Sequence, residues 1–407
     1  MTDLREFDVV LFGATGYTGE LALGELVRRG AGLRLALAGR DAKKLEAVRT
    51  RLAAGVPEAS KLPILVADAH DRPALDGVAR RARVVCTTVG PYALHGEDLA
   101  AACAEAGTHL CDLTGEVTFM RRSIDRNDAT AARTGARIVH ACGFDSIPSD
   151  LGVLLADEAM RVRAGVPCDE ATLEVLSLRG GASGGTLASM FTLVEEARRD
   201  PAIRKLLLDP YALNPEGERQ GPDGPDPMGV ESTQDAYLAP FVMGAVNSRV
   251  VRRSNALLGY RYGRDFRYRE VSRFPKTPKG FLAATSLAAG LGAFVASVAT
   301  PGLGRLVRAA LPKPGAGPSL EERERGRFRL RVVGVSRAAH VERRVVVRVE
   351  GDRDPGYALT SVMLAESAVC LASDPLTSPG GVLTPATAMG MSLVERLRRA
   401  GLVLTAD

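Results

Sequence analysis

The sequence is short of the residues that most often announce chemistry. Six cysteines in 407 residues are too few for a disulfide framework. No CxxC or HxxxH spacing marks a zinc site, so no metal is expected. No Ser-His-Asp order and no nucleophile elbow is present. Lysine supplies only 7 of the 53 basic residues, an arginine excess that reads as codon bias. The formal net charge is +5, without the clustered basic charge of a nucleic-acid binder. Residues 252–270 do hold six arginines among aromatics, but Asp265 and Glu270 lie between them, and alternation explains a solvated face. No internal repeat is found. Residues 1–6 are polar and a strand follows at once, so no secretory signal opens the chain and a cytoplasmic protein is expected. What is present is globular text. Hydrophobic residues make up 46% and charged residues 25%, which excludes disordered, collagen-like and coiled-coil chains. At about 150 residues per domain, the length suggests two or three domains.

The first 150 residues alternate strand and helix. Strands are predicted at 8–12, 33–38, 62–66, 84–88, 108–112 and 137–141. Helical spacing is seen at 17–29, 41–51, 96–106 and 118–134. The strands are continuous apolar runs rather than alternating ones, which predicts burial on both faces, as in a parallel sheet. The fold class follows: α/β, with a Rossmann-type doubly wound parallel sheet.

The first turn reads Gly13-Ala14-Thr15-Gly16-Tyr17-Thr18-Gly19, between a strand and a helix. Gly13 permits the tight turn, Gly16 lets backbone approach a diphosphate, and Gly19 lets helix pack on strand. The helix start then offers amides and a positive dipole end to the phosphates. After strand two stands Arg40 in place of an acid. A guanidinium suits a 2′-phosphate, so NADP(H) is expected over NAD(H). Asp41, beside it, either blurs that choice as an acid near the strand end or caps the helix 41–51. Asp68, past strand three, either reaches the adenine side or is a loop carboxylate. Strand four runs into Val89-Gly90-Pro91, placed to carry backbone past the nicotinamide half. Tyr92 and His95 follow. Either can hand a proton to a developing enolate, or Tyr92 packs in an interdomain seam and His95 caps a helix.

These motifs, GATGYTG at 13–19, AGR at 38–40 and TVGPY at 88–92, resemble the saccharopine dehydrogenase-like oxidoreductases. Within that superfamily the chain is most similar to the trans-acting enoyl reductase family. Further stretches fit: GFDSIPSDLG at 143–152, SGGT at 183–186, PFVM at 240–243, VVRRS at 250–254, GAGPS at 315–319 and GGVLTPA at 380–386. The resemblance implies an NADP-type oxidoreductase with an α+β second domain. It also implies lipid or polyketide acyl substrates, reduced at a carbon–carbon double bond while bound to a partner synthase.

Beyond residue 150 helices are predicted at 149–161, 186–199 and 356–372, with a Pro- and Gly-rich loop at 214–229. Strands at 172–178, 266–271, 328–335 and 343–349 mostly have one wet face, which favours a largely antiparallel sheet for substrate binding or a homodimer contact. The division is thus 1–148 for the NADP-binding Rossmann domain, 149–355 for the α+β domain, and 356–407 for helices returning toward the first. Residues 280–304 carry no charge and are flanked by Lys276, Lys279, Arg305 and Arg308. Three readings stand: a buried helix pair lining an acyl channel, a membrane-surface helix, and a transmembrane span. Cys86, Cys111 and Cys142 fall in or at the end of buried strands and read as core residues, as does Cys103 on a helix. Asp112, Glu116, Asp145 and Ser146 follow strands five and six, all facing the ligand crevice. Asp145 and Glu116 either cap or pair, or they orient substrate or nicotinamide, with Asp145 counted among the catalytic candidates. Three functions remain: an enoyl reductase, a C–N dehydrogenase of the saccharopine type, and a non-catalytic lipid-associated NADP-binding protein.

Overall fold

The continuous apolar runs form one sheet in the computed structural model, which describes residues 5–180, 184–224, 228–300 and 317–407. β1 (Phe7–Phe12) and β2 (Leu35–Gly39) are buried at every position. β3 (Ile64–Val66), β4 (Ala82–Thr87), β5 (His109–Cys111) and β6 (Arg137–Val139) complete the predicted set. α1 (Tyr17–Arg29), α2 (Ala42–Ala53), α3 (Arg72–Arg81), α4 (Tyr92–His95), α5 (Glu97–Ala106) and α6 (Val117–Thr134) lie between them. The strand order is β3-β2-β1-β4-β5-β6 with every pair parallel, so the direction of winding reverses between β1 and β4. That reversal opens a crevice at the carboxyl ends of these two strands. A seventh strand, Gly381–Leu383, which the sequence reading did not find, pairs parallel with β6.

α7 (Ile147–Ala164) leads into a second sheet. Its strands are β7 (Glu170–Arg179), β8 (Glu231–Ser232), β9 (Ala236–Pro240), β10 (Arg267–Pro275), β11 (Arg327–Ser336) and β12 (Arg343–Gly351), and the final strand is Val403–Ala406. Only β7 and β10 pair in parallel, and the other neighbours are antiparallel. Helices α8 (Gly184–Arg199), α9 (Pro201–Leu208), α10 (Gly244–Leu257) and α11 (Pro278–Ala299) accompany it. The chain divides into two compact units. The first is Met1–Ile147, Pro314–Ser319 and Gly356–Ala400; the second is Pro148–Lys313, Leu320–Pro355 and Gly401–Asp407. The last strand therefore belongs with the second sheet, not with the C-terminal helices.

The uncharged stretch departs from one expectation. Its described part forms one long helix, α11 (Pro278–Ala299), and along its most apolar window only 11% is buried, so this helix is not the buried one expected. Pro301, the segment to 304, Arg305 and Arg308 lie outside the described residues, as do Ser183, Gly315 and Ala316 of the quoted motifs.

Candidate cofactor and active site

The glycine turn is built by close approach. Gly13 has φ +99°, and a Cβ there would lie 2.6 Å from Cγ2 of Val89. A Cβ on Gly19 would run into the Gly13 carbonyl. Gly16 differs: a Cβ would meet nothing nearer than the Gly13 oxygen at 3.7 Å. The protein's own packing does not require glycine there, so the open space is left on the outer side of the loop. Gly16 is the N-cap of α1, and no side chain caps that helix. Thr15 and Gly16 are exposed, Ala14 is buried, and Tyr17 and Thr18 are half-buried. Glu20, the only acid in the first turn, is drawn off by Arg51 at 2.8 Å. An exposed, uncapped helix start behind an open glycine is a cradle that fits a diphosphate. Thr88 ties the cradle to β4, its hydroxyl donating to the Gly13 carbonyl at 3.1 Å. The Tyr17 hydroxyl donates to the Pro318 carbonyl, and its ring stands edge-on to Tyr357 at 5.0 Å.

At the end of β2, Arg40 is exposed. Asp41 turns its carboxylate onto the backbone N–H of Lys44 at 3.0 Å and so caps α2. The acid beside Arg40 is thus occupied with its own helix. Asp68 accepts the N–H of His70 at 2.9 Å and holds the loop after β3. His70 then meets His95, with Nε2 and Nδ1 3.0 Å apart and rings edge-to-face at 5.0 Å. Burial, the neighbouring His70 and the charge of Arg40 hold the His95 imidazole below its usual pKa, while Asp68 and Glu116 pull the other way. His95 therefore sits with Arg40 and Asp68, on the side of the crevice that follows β2 and β3. His70 was missed by the sequence reading, because a lone loop histidine has no spacing signal.

The turn after β4 places Val89 and Pro91 half-buried and Gly90 exposed. The Val89 N–H donates to Thr87 Oγ1 at 3.3 Å, and the Gly90–Pro91 peptide is cis. Tyr92 does not face the crevice. It is 6% exposed, donates its hydroxyl proton to the Thr87 carbonyl at 3.2 Å and accepts the Leu113 N–H at 3.1 Å. Burial pushes its phenol well above the usual range, and Asp112 adds to this. A tyrosine so engaged holds the β4 turn to the loop after β5, which favours the packing reading over the proton donor. Glu116 accepts the N–H groups of Tyr92 at 3.0 Å and Ala93 at 2.8 Å, capping α4 from another element.

Asp112, Glu116 and Ser146 are buried rather than lining the crevice. Asp112 joins His140 Nδ1 at 2.6 Å, and His140 Nε2 meets Ser123 Oγ at 2.8 Å. This chain of acid, imidazole and hydroxyl was invisible in the sequence because it comes from three separate elements. All three members are under 4% exposed, so substrate has no access and the network braces the sheet. Asp145 is half-buried in the turn leading from β6 to α7. All six cysteines are buried and free, as core residues are. His109 accepts the Arg137 N–H at 3.0 Å. Among the described residues no group of three or more His, Cys, Asp or Glu forms a metal cluster.

Three comparisons bear on this geometry. A family profile described as the saccharopine dehydrogenase NADP binding domain matches residues 9–141, which carry the glycine turn and Arg40. A protein of Mycobacterium ulcerans named trans-acting enoyl reductase is 42% identical over 99% of this chain and 98% of its own. One of the same name from Mycobacterium tuberculosis is 41% identical over 98% of this chain and 97% of its own. Among solved structures, apo saccharopine dehydrogenase (L-Glu forming) of Saccharomyces cerevisiae superposes with a TM-score of 0.56 at 13% identity, covering 98% of this chain and 99% of that one, a likeness of fold. The chain belongs to the trans-acting enoyl reductase family, NADP(H)-dependent oxidoreductases on a saccharopine dehydrogenase-type fold.

Proposed function

We propose that this oxidoreductase reduces the carbon–carbon double bond of an enoyl thioester, on a lipid or polyketide acyl chain carried by a separate synthase. The observation that carries the reading is full-length likeness to relatives named for that activity, extending through the second sheet as well as the nucleotide unit. Bound NADPH supplies the hydride. The chain's own residues bind and orient it. The amides of residues 13–19 and the start of α1 meet the diphosphate. Arg40, with the His70–His95 pair beside it, meets the 2′-phosphate. The cis turn at Gly90–Pro91 lies at the carboxyl end of β4, where it borders the nicotinamide half. Charge developing on the thioester oxygen calls for a donor of hydrogen bonds.

The test is NADPH oxidation by the purified full chain against a panel of long-chain enoyl thioesters, free and carrier-bound, with saccharopine as the C–N control. Turnover of an enoyl thioester is expected. Turnover of saccharopine alone, or NADPH binding with no turnover of any substrate, overturns the reading.

A further inference from the structure

Helix α11 is an anomaly for a water-soluble surface. It runs 22 residues, about 33 Å at 1.5 Å per residue. Its start is well defined: Thr277 Oγ1 accepts the Gly280 N–H at 3.1 Å, and Pro278 occupies the first turn. The first turn is seated on the second sheet, with Gly280 against the Pro275 carbonyl and the Phe281 ring 5.3 Å from Tyr237. Beyond that seat the helix is apolar and bare. Phe281 is 51% exposed, Leu282 67%, Leu287 40% and Val295 38%. Residues 281–283, 285–287 and 289–290 are all exposed. Consecutive residues step 100° around a helix, so these positions leave bare every face but one stripe, on which Gly280, Ala284 and Val298 are buried and Ala288, Leu291 and Phe294 half-buried. The other helix of comparable apolar length, Pro355–Ser373, has 83% of its window buried, against 11% here.

An apolar helix bare on every face but the stripe that seats it exposes more than a protein groove, which covers one stripe, would cover. A medium that surrounds it fits. The charge pattern names the medium. Between Glu270 and Glu321 the sequence holds six basic residues and no acidic one. Lys276 and Lys279 are exposed at the start of the helix, while Arg305, Arg308 and Lys313 lie outside the described residues. Topology then decides how the medium is entered. β10, which ends at Pro275, and β11, which begins at Arg327, belong to one sheet. Both ends of the segment return to the same folded body, so a single crossing of a bilayer is excluded.

We infer that α11 docks the protein on one leaflet of an anionic membrane, lying in the interface with its bare apolar side chains among the acyl chains and the exposed Lys276 and Lys279 at its start on the headgroups. This interaction surface does not depend on the substrate reading above. A leaflet-bound enzyme would meet long-chain substrates where they partition.

The chain has no tryptophan, so Leu287→Trp creates a single fluorescent reporter. With vesicles containing phosphatidylglycerol, its emission shifts to the blue and full-length protein co-sediments. With pure phosphatidylcholine, binding weakens at least about tenfold. Leu282→Glu/Leu287→Glu lowers sedimentation by at least about tenfold, while NADPH binding, read by calorimetry, stays at the wild-type value and shows the fold intact. Absence of vesicle binding overturns the inference. So does unchanged binding by the double variant, equal binding to neutral and anionic vesicles, or a dimer that α11 substitutions dissolve without any lipid association. Each readout is independent of enoyl turnover, so its failure is distinct from failure of the substrate reading.

Discussion

Gly16 and Arg40 separate what the fold needs from what the ligand needs. Gly13 and Gly19 are fixed by neighbouring protein atoms, so their replacement strains the turn itself. Gly16 has room for a methyl group. Gly16→Ala is therefore expected to keep stability within about 0.5 kcal/mol, by urea titration, while weakening NADPH binding in calorimetry. Arg40→Ala, which removes the proposed charged partner of the 2′-phosphate, is expected to cost about 1.5–3 kcal/mol, or about 10- to 150-fold in NADPH affinity by calorimetry, with NADH affinity unchanged. The turn and the arginine were both legible in the sequence because each depends on local text: a strand, a glycine spacing, and the residue at the end of the next strand. Tyr92 was not. Its place in TVGPY says that it follows β4. It does not say that Glu116, 24 positions away, captures its N–H and turns its ring inward. The same holds for Asp112, His140 and Ser123, whose meeting depends on packing between elements. Tyr92→Phe is expected to retain NADPH-dependent turnover within about threefold and to lose about 1–3 kcal/mol of stability, because the Leu113 N–H loses its acceptor.

At the scale of elements, the loop after β3 and the short helix after β4 each deliver one histidine to a shared position. In the folded protein burial, His70 and Arg40 disfavour the charged form of His95. A 2′-phosphate arriving there favours that form, so binding takes up a proton. By linkage, NADP(H) affinity then rises as pH falls between the bound-state and the free-state pKa of His95, by up to about tenfold per unit for one proton. Calorimetry across that range, in buffers of different ionisation enthalpy, should report proton uptake for NADPH and none for NADH. His95→Gln should flatten the NADPH profile. Periodicity gave the first six strands and missed several elements, among them α3, α9, α10, β8, β9 and the final strand Val403–Ala406. Gly381–Leu383 spans three residues, too short for a pattern, and exists as a strand because the edge of β6 needs a partner. For α11, an uncharged run looks the same whether it is buried in protein or bare, and only the coordinates of its neighbours separate the cases.

The whole molecule is not a string of domains. The nucleotide unit takes in Gly356–Ala400, after the chain has built most of the other unit. The helix Thr360–Ser373 is buried along nearly its whole length and packs on α1, β1, β4 and β5. A fragment of residues 1–150 lacks that helix and the seventh strand. It is expected to bind the apolar dye ANS, to melt without cooperativity and to bind no NADPH. Cooperative unfolding with normal NADPH affinity would show the first six strands to be self-sufficient. Isolating the family-matched stretch 9–141 would meet the same difficulty, since the match ends before the residues that close the sheet.

This interleaving imposes an order on biosynthesis. A ribosome finishes the phosphate-gripping turn near residue 19 early, yet it must translate to about residue 400 before the layer beneath that turn is complete. A nascent chain therefore gains its full dinucleotide cradle only after residues 356–400 have been made.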